Sequence, residues 1–116
     1  MKLPHREKAY VPIAKVRDYL LAEKHPKGWS KAKLLRALGH DDRTIDIIIQ
    51  NLLDIAYSQE VRDTYESRYG ISYVLDGFLQ TPSGVSVRFR TVWCIDNDAE
   101  RPRFVTGYPL VLRERK

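Results

Sequence analysis

The chain of 116 residues holds a single cysteine, Cys94. One thiol excludes an internal disulfide, carries no metal-ligand spacing and fits a reducing interior. No run of about 18 apolar residues occurs, so no membrane-spanning helix is expected. The opening Met1-Lys2-Leu3-Pro4-His5-Arg6 lacks the apolar stretch of a signal peptide, which points to a soluble, cytoplasmic protein. Glycine-rich phosphate loops are missing as well: Gly28 is solitary, and Gly28-Trp29-Ser30-Lys31 lacks the P-loop spacing. His5, His25 and His40 have no paired metal-ligand spacing. Asp96-Asn97-Asp98 lacks the glycine and closing glutamate of a calcium loop. The expectation is therefore no metal and no cofactor. A final absence is local, since the ten residues from Lys24 to Lys33 contain no acid.

That segment holds four lysines, His25 and Trp29. Like charges at this density repel one another and resist burial, so they are commonly met by an anion. The formal net charge is +5, and it is unevenly spread. Residues 1–36 carry ten Lys/Arg against three acids, and residues 37–66 carry two against seven. Residues 67–116 return to eight against five. Segregation of this kind suggests a basic face, although charge runs also serve simply as solvated surface. The length fits one domain over residues 1–116, with 1–10 and 112–116 loosely ordered. A 43% hydrophobic content with two Trp, seven Tyr and three Phe supplies one core without a staple.

Periodicity divides the chain into helices followed by strands. Pro12 opens a short helix carrying Ile13, Val16, Leu20 and Leu21, and His25-Pro26 ends it. Ser30 is placed to cap a second helix with Leu34, Leu35 and Leu38 inside and Gly39 as its stop. Asp41 or Asp42 caps a third, running to about Ser58, whose stripe is Ile45, Ile48, Ile49, Leu52, Leu53 and Ala56. The period then changes to two. Residues 72–80 read as a strand, Pro82-Ser83-Gly84 as a hairpin turn and Val85–Ile95 as a long strand. In that strand Val87, Phe89, Thr91, Trp93 and Ile95 share one face, and Arg88, Arg90, Val92 and Cys94 the other. Phe104, Thr106, Tyr108 and Leu110 alternate in a last strand. Residues 59–70 are either a short first strand or a loop. This order predicts an α+β domain, about three N-terminal helices packed on one face of a small C-terminal antiparallel sheet.

The residue inventory favours metal-free phosphodiester chemistry. RNA can be cut by its own 2′-hydroxyl when a base, an acid and cations surround the phosphorus. His25 is the candidate base or acid, because its unperturbed pKa lies near neutrality. Lys31 and Arg90 are candidates for charge stabilisation, and Thr91 for hydrogen bonding. Lys24, Lys27, Lys33, Arg88 and Thr106 would hold the backbone, while Trp93 and Tyr108 would offer stacking surfaces to splayed bases. Structural readings compete at several of these positions. His25 also serves as a helix terminator, and Trp29 as a lid over the helix corner. Trp93 and Thr91 fall on the more apolar strand face, where core packing is the alternative. Cys94 reads as a buried structural thiol.

Val11-Pro12, Lys15, Tyr19-Leu20-Leu21, His25-Pro26-x-Gly28 and Ser30-Lys31-Ala32-Lys33 form an ordered set. Tyr73-x-x-Asp76-Gly77, Gly84, Arg90-Thr91-Val92-Trp93 and Thr106-x-Tyr108-Pro109 extend it. Together they resemble a compact bacterial domain family of uncharacterised function, whose members occur as small stand-alone proteins and as C-terminal modules of polymorphic toxins. The helix-then-sheet order also resembles the ribonuclease-toxin fold of barnase, colicin D and RelE-type messenger-RNA interferases. The family pattern points to His25, Lys31, Arg90, Thr91, Trp93 and Tyr108. The resemblance implies a metal-independent endoribonuclease toxin acting on RNA such as tRNA or mRNA. A small acidic antitoxin or immunity protein would hold it in check. The alternative is a non-catalytic basic module that binds RNA or an acidic protein.

Overall fold

Residues 45–58 form the helix around which the molecule is built. A computed structural model describes residues 1–20 and 29–110. It contains a short helix α1 (Ile13–Lys15) that continues as a π-helical turn over Val16–Leu20. Helix α2 (Trp29–Ala37) and helix α3 (Ile45–Ser58) follow. Four strands then run antiparallel in sequence order: β1 (Asp63–Ser67), β2 (Gly70–Leu79), β3 (Val87–Asp96) and β4 (Arg103–Pro109). The architecture is α+β, with the helices on one face of the sheet, as the periodicity predicts.

Local chemistry explains the boundaries. Gly39 closes the α2 corner at φ +105°, a backbone region that side chains disfavour. Asp41 accepts from the Arg43 backbone N–H, and Thr44 Oγ1 accepts from the Asp41 N–H, a reciprocal cap leading through a 3₁₀ turn into α3. His40 fastens this corner to the sheet. Its Nδ1 lies 2.9 Å from Thr44 Oγ1, and its Nε2 lies 2.8 Å from the Gln80 carbonyl oxygen.

Helix α3 buries Ile45, Ile48, Leu52, Ile55 and Ala56. They meet Tyr73, Leu75 and Leu79 of β2, Phe89 and Trp93 of β3, and Phe104 of β4. Full burial of one such large side chain stabilises by roughly 1.5–3 kcal/mol. Trp93 and Phe104 meet edge to face, 5.3 Å between centroids. Val16 and Leu35 seal the core from α1–α2, and Leu3 seals it from the N-terminus.

Several expectations change. Within residues 1–10, Leu3 is 2% exposed and the Met1 ammonium lies 2.8 Å from Glu60. Tyr10 pairs with Arg103 beside β4. Pro12 stands at the cap of α1 instead of in its first turn, and Ser30 lies inside α2 instead of capping it. The ambiguous 59–70 segment contains β1. The His25-Pro26 break and residues 112–116 lie outside the described residues.

Candidate functional site

The second face of the sheet is where polar chemistry gathers. Register fixes its members. Asp63 lies opposite Val74, and Tyr65 opposite Ser72. On the central hairpin Asp76 faces Arg90, Phe78 faces Arg88, and Val74 faces Val92. Tyr108 faces Arg90 from β4. Among the described residues, the helices pack on the opposite face, and Tyr65, Phe78, Arg88 and Tyr108 are exposed. Val74 and Cys94 are buried, so the accessible part of the face runs from Asp76–Arg90 toward the hairpin turn.

An ion pair sits at its centre. Arg90 Nε donates to Asp76 Oδ1 at 2.8 Å, and Arg90 Nη2 donates to Asp76 Oδ2 at 2.9 Å. This two-pronged geometry matches a planar guanidinium to a planar carboxylate. Arg62 approaches the same carboxylate with its Nε 3.7 Å from Oδ2. The hydrogen bonds from Arg90 hold the Asp76 carboxyl below its ordinary range, with Arg62 and Arg88 adding attraction. Arg90 is pushed up in turn, first by Asp76, with the Tyr108 hydroxyl as a further hydrogen-bond neighbour. Tyr65 donates to Asp63 at 3.2 Å, and this bond raises its phenol. Two guanidinium groups therefore engage one carboxylate, with Arg88 adding attraction from farther off and Tyr65 and Tyr108 nearby.

A bulge delivers β4 to this cluster. Trp93 pairs with Phe104, but Val92 pairs with Thr106, so Val105 is an extra residue without a partner. Strict alternation would put Phe104, Thr106 and Tyr108 on one face. The bulge separates them, leaving Phe104 in the core and moving Thr106 and Tyr108 beside Val92 and Arg90.

Two expected site residues belong elsewhere. Thr91 is fully buried, with its Oγ1 donating to the Leu75 carbonyl at 2.7 Å. It also accepts from Trp93 Nε1 at 2.8 Å, and Trp93 is fully buried. Neither touches the outer face, so the catalytic role for Thr91 and the stacking role for Trp93 are withdrawn. Their strand alternates, and the inward positions are taken by core packing. Arg88, Arg90, Thr106 and Tyr108 share the outer face, with Tyr108 beside Arg90. Lys33 is exposed on α2. His25, Lys24 and Lys27 lie outside the described residues, as does the side chain of Lys31. His40 is not a site residue, because it is buried with both ring nitrogens engaged.

Arg62, Tyr65 and Asp76 belong to this cluster and were not among the residues expected from the sequence. A signal existed for Asp76, since Asp76 and Arg90 stand equally far from Ser83 at the centre of the predicted turn. A symmetric hairpin makes them partners. Among the described residues, no group of three or more His, Cys, Asp or Glu could hold a metal ion. No described helix is long and apolar enough to cross a membrane.

Fold and face together define a helix-backed antiparallel sheet with an arginine-rich outer surface. The chain belongs to the family described as "Domain of unknown function (DUF6883)", which matches residues 2–111. Among solved structures it is similar to a chain of the contact-dependent growth inhibition toxin–immunity protein complex from Klebsiella pneumoniae 342. That likeness has a TM-score of 0.74 at 20% identity and covers 90% of this chain and 95% of the other. It establishes a shared fold. No curated protein matches the chain.

Proposed function

We propose that this domain is the toxin of a toxin–immunity pair and that it cuts RNA without a metal. The carrying observation is the outer-face cluster, in which Arg62 and Arg90 engage Asp76, with Arg88 one register step away and the Tyr108 hydroxyl beside Arg90. Arginines gathered on one face suit a phosphodiester, because the N–H donors that Asp76 leaves over can take phosphate oxygens. The fold shared with a member of a toxin–immunity complex supports the toxin reading. The net charge of +5 favours the toxin side, since a basic nucleic-acid surface is naturally met by an acidic inhibitor.

In this reading the RNA 2′-hydroxyl attacks the adjacent phosphorus. Arg90, Arg88 and Lys31 stabilise the charge that develops on the phosphorane oxygens. His25 takes the hydroxyl proton or returns one to the leaving oxygen. Asp76 keeps the Arg90 fork aligned and is a positioning residue.

RNA incubated with the purified protein in EDTA should be cut, leaving cyclic phosphate ends. His25→Ala should slow cleavage by roughly 10²–10⁴-fold, and Arg90→Ala should abolish it while the fold, followed by circular dichroism, persists. Intact RNA over a wide range of protein concentration refutes the enzyme. A second reading, RNA binding without scission, is favoured by one observation: Arg90 is already committed to Asp76. It predicts salt-sensitive binding in the same samples with no new ends.

A further inference from the structure

The arginine cluster does not stop at Arg88. One register step beyond Asp76–Arg90, on the same face, Phe78 stands opposite Arg88 and is 56% exposed. Both line a groove of about 520 Å³ at the hairpin end of the sheet, where the outer face meets the end of α2. Leu34 of α2 and Leu38 just beyond it form one wall, and Val85, Val87 and Leu110 add apolar surface. Among the described residues, Arg88 is the only charged side chain on it. The Leu110 N–H donates to the Arg88 carbonyl oxygen at 2.8 Å, which holds the wall after β4 against β3.

An exposed phenylalanine in an apolar trough, rimmed by arginine, has the chemistry of a flat ring ligand attached to an anion. Apolar walls desolvate the ring faces, Phe78 stacks, and the arginines hold the charge. Residues two apart on a strand are about 6.8 Å apart. Arg90 and the groove are therefore within the reach of neighbouring parts of one nucleotide. We infer that this groove is a base-binding subsite, in which Phe78 stacks an unpaired RNA base while Arg88 holds its phosphate. The inference rests on the RNA reading above and adds to it a grip on single-stranded, unpaired sequence. Charge complementarity selects this occupant: Arg88 on the groove, one register step from Arg90, suits an anion bearing an apolar ring.

The test is fluorescence anisotropy with a labelled short single-stranded RNA and with an abasic chain of the same length. Wild-type protein should bind the RNA more tightly than the abasic chain. Phe78→Ala should weaken RNA binding by roughly 5- to 150-fold, the range expected for losing one stacked base. It should leave the abasic affinity and the salt dependence unchanged. Phe78→Leu, which keeps apolar bulk without a ring, should also weaken RNA alone. Equal RNA affinity in wild type and both variants overturns the subsite and leaves the arginine surface standing. Binding of neither probe by wild type overturns the RNA reading together with the subsite. Unchanged RNA binding, with loss of binding to an acidic protein encoded beside this chain, would assign the groove to that protein and refute the inference.

Discussion

Thr91 and Trp93 lock together at the centre of β3, and the bond between them is the core's main polar feature. The hydroxyl satisfies both the Leu75 carbonyl and the indole N–H. Thr91→Val keeps the shape but leaves the indole without a partner, so it should cost about 1–3 kcal/mol. Thr91→Ser should recover most of that loss, and urea unfolding of the two variants measures the difference. A catalytic threonine would instead lose activity at unchanged stability. On the outer face, Asp76 makes a different prediction. Its carboxyl is held low in the folded state by Arg90, so its contribution to stability is present above the unfolded value of about 3.9. That contribution is lost as pH falls through the folded value. Asp96, lowered by Arg103, has the same sign. Urea midpoints should therefore fall steeply below about pH 4. Asp76→Asn should flatten part of that fall while lowering stability at neutral pH, and an unchanged acid slope would refute the coupling.

Among the elements, α3 and β2 set the sheet's position through one close approach. A methyl group on Gly77 would meet Ile55 Cγ1 at 2.6 Å. The glycine lets the helix side chain sit directly on the strand. Gly77→Ala should destabilise by roughly 1–3 kcal/mol through overpacking. Pairing it with Ile55→Val should recover part of the loss, because neighbouring substitutions are not additive. Additive losses in thermal unfolding would show that the contact does not govern the packing. The stripe of α3 was legible in the sequence because Ile45, Ile48, Leu52 and Ala56 repeat at helical spacing against one partner. The faces of β3 were legible for the same reason, at period two. The face of β4 was not. Its alternation breaks at Val105, an ordinary strand residue whose bulge is imposed by pairing with β3. Thr106 and Tyr108 were singled out from the sequence, yet only the bulge puts them on the arginine-bearing face.

At the level of the whole molecule, charge and fold act together. The helices cover one sheet face, so the arginines that alternate with the core residues of β3 emerge on the other. If RNA lies there, its affinity should fall linearly with the logarithm of salt concentration. Arg62→Ala and Arg88→Ala should each reduce that slope by about one. A slope unchanged in both variants would place the phosphate contacts elsewhere. Such a cationic surface would also be the natural docking place of an acidic immunity partner, which should compete with RNA.

Residue order alone determined the α+β plan, the strongest helix, the hairpin and the cationic bias, because periodicity and turn chemistry are local properties. Position along the chain could not decide which groups meet. Asp76 comes to Arg90 through hairpin register, and Arg62 and Tyr65 through the pairing of β1. Thr91 and Trp93 leave the site because the helices need that face for the core. Those outcomes depend on contacts between distant segments, and packing of the assembled sheet is what chooses them.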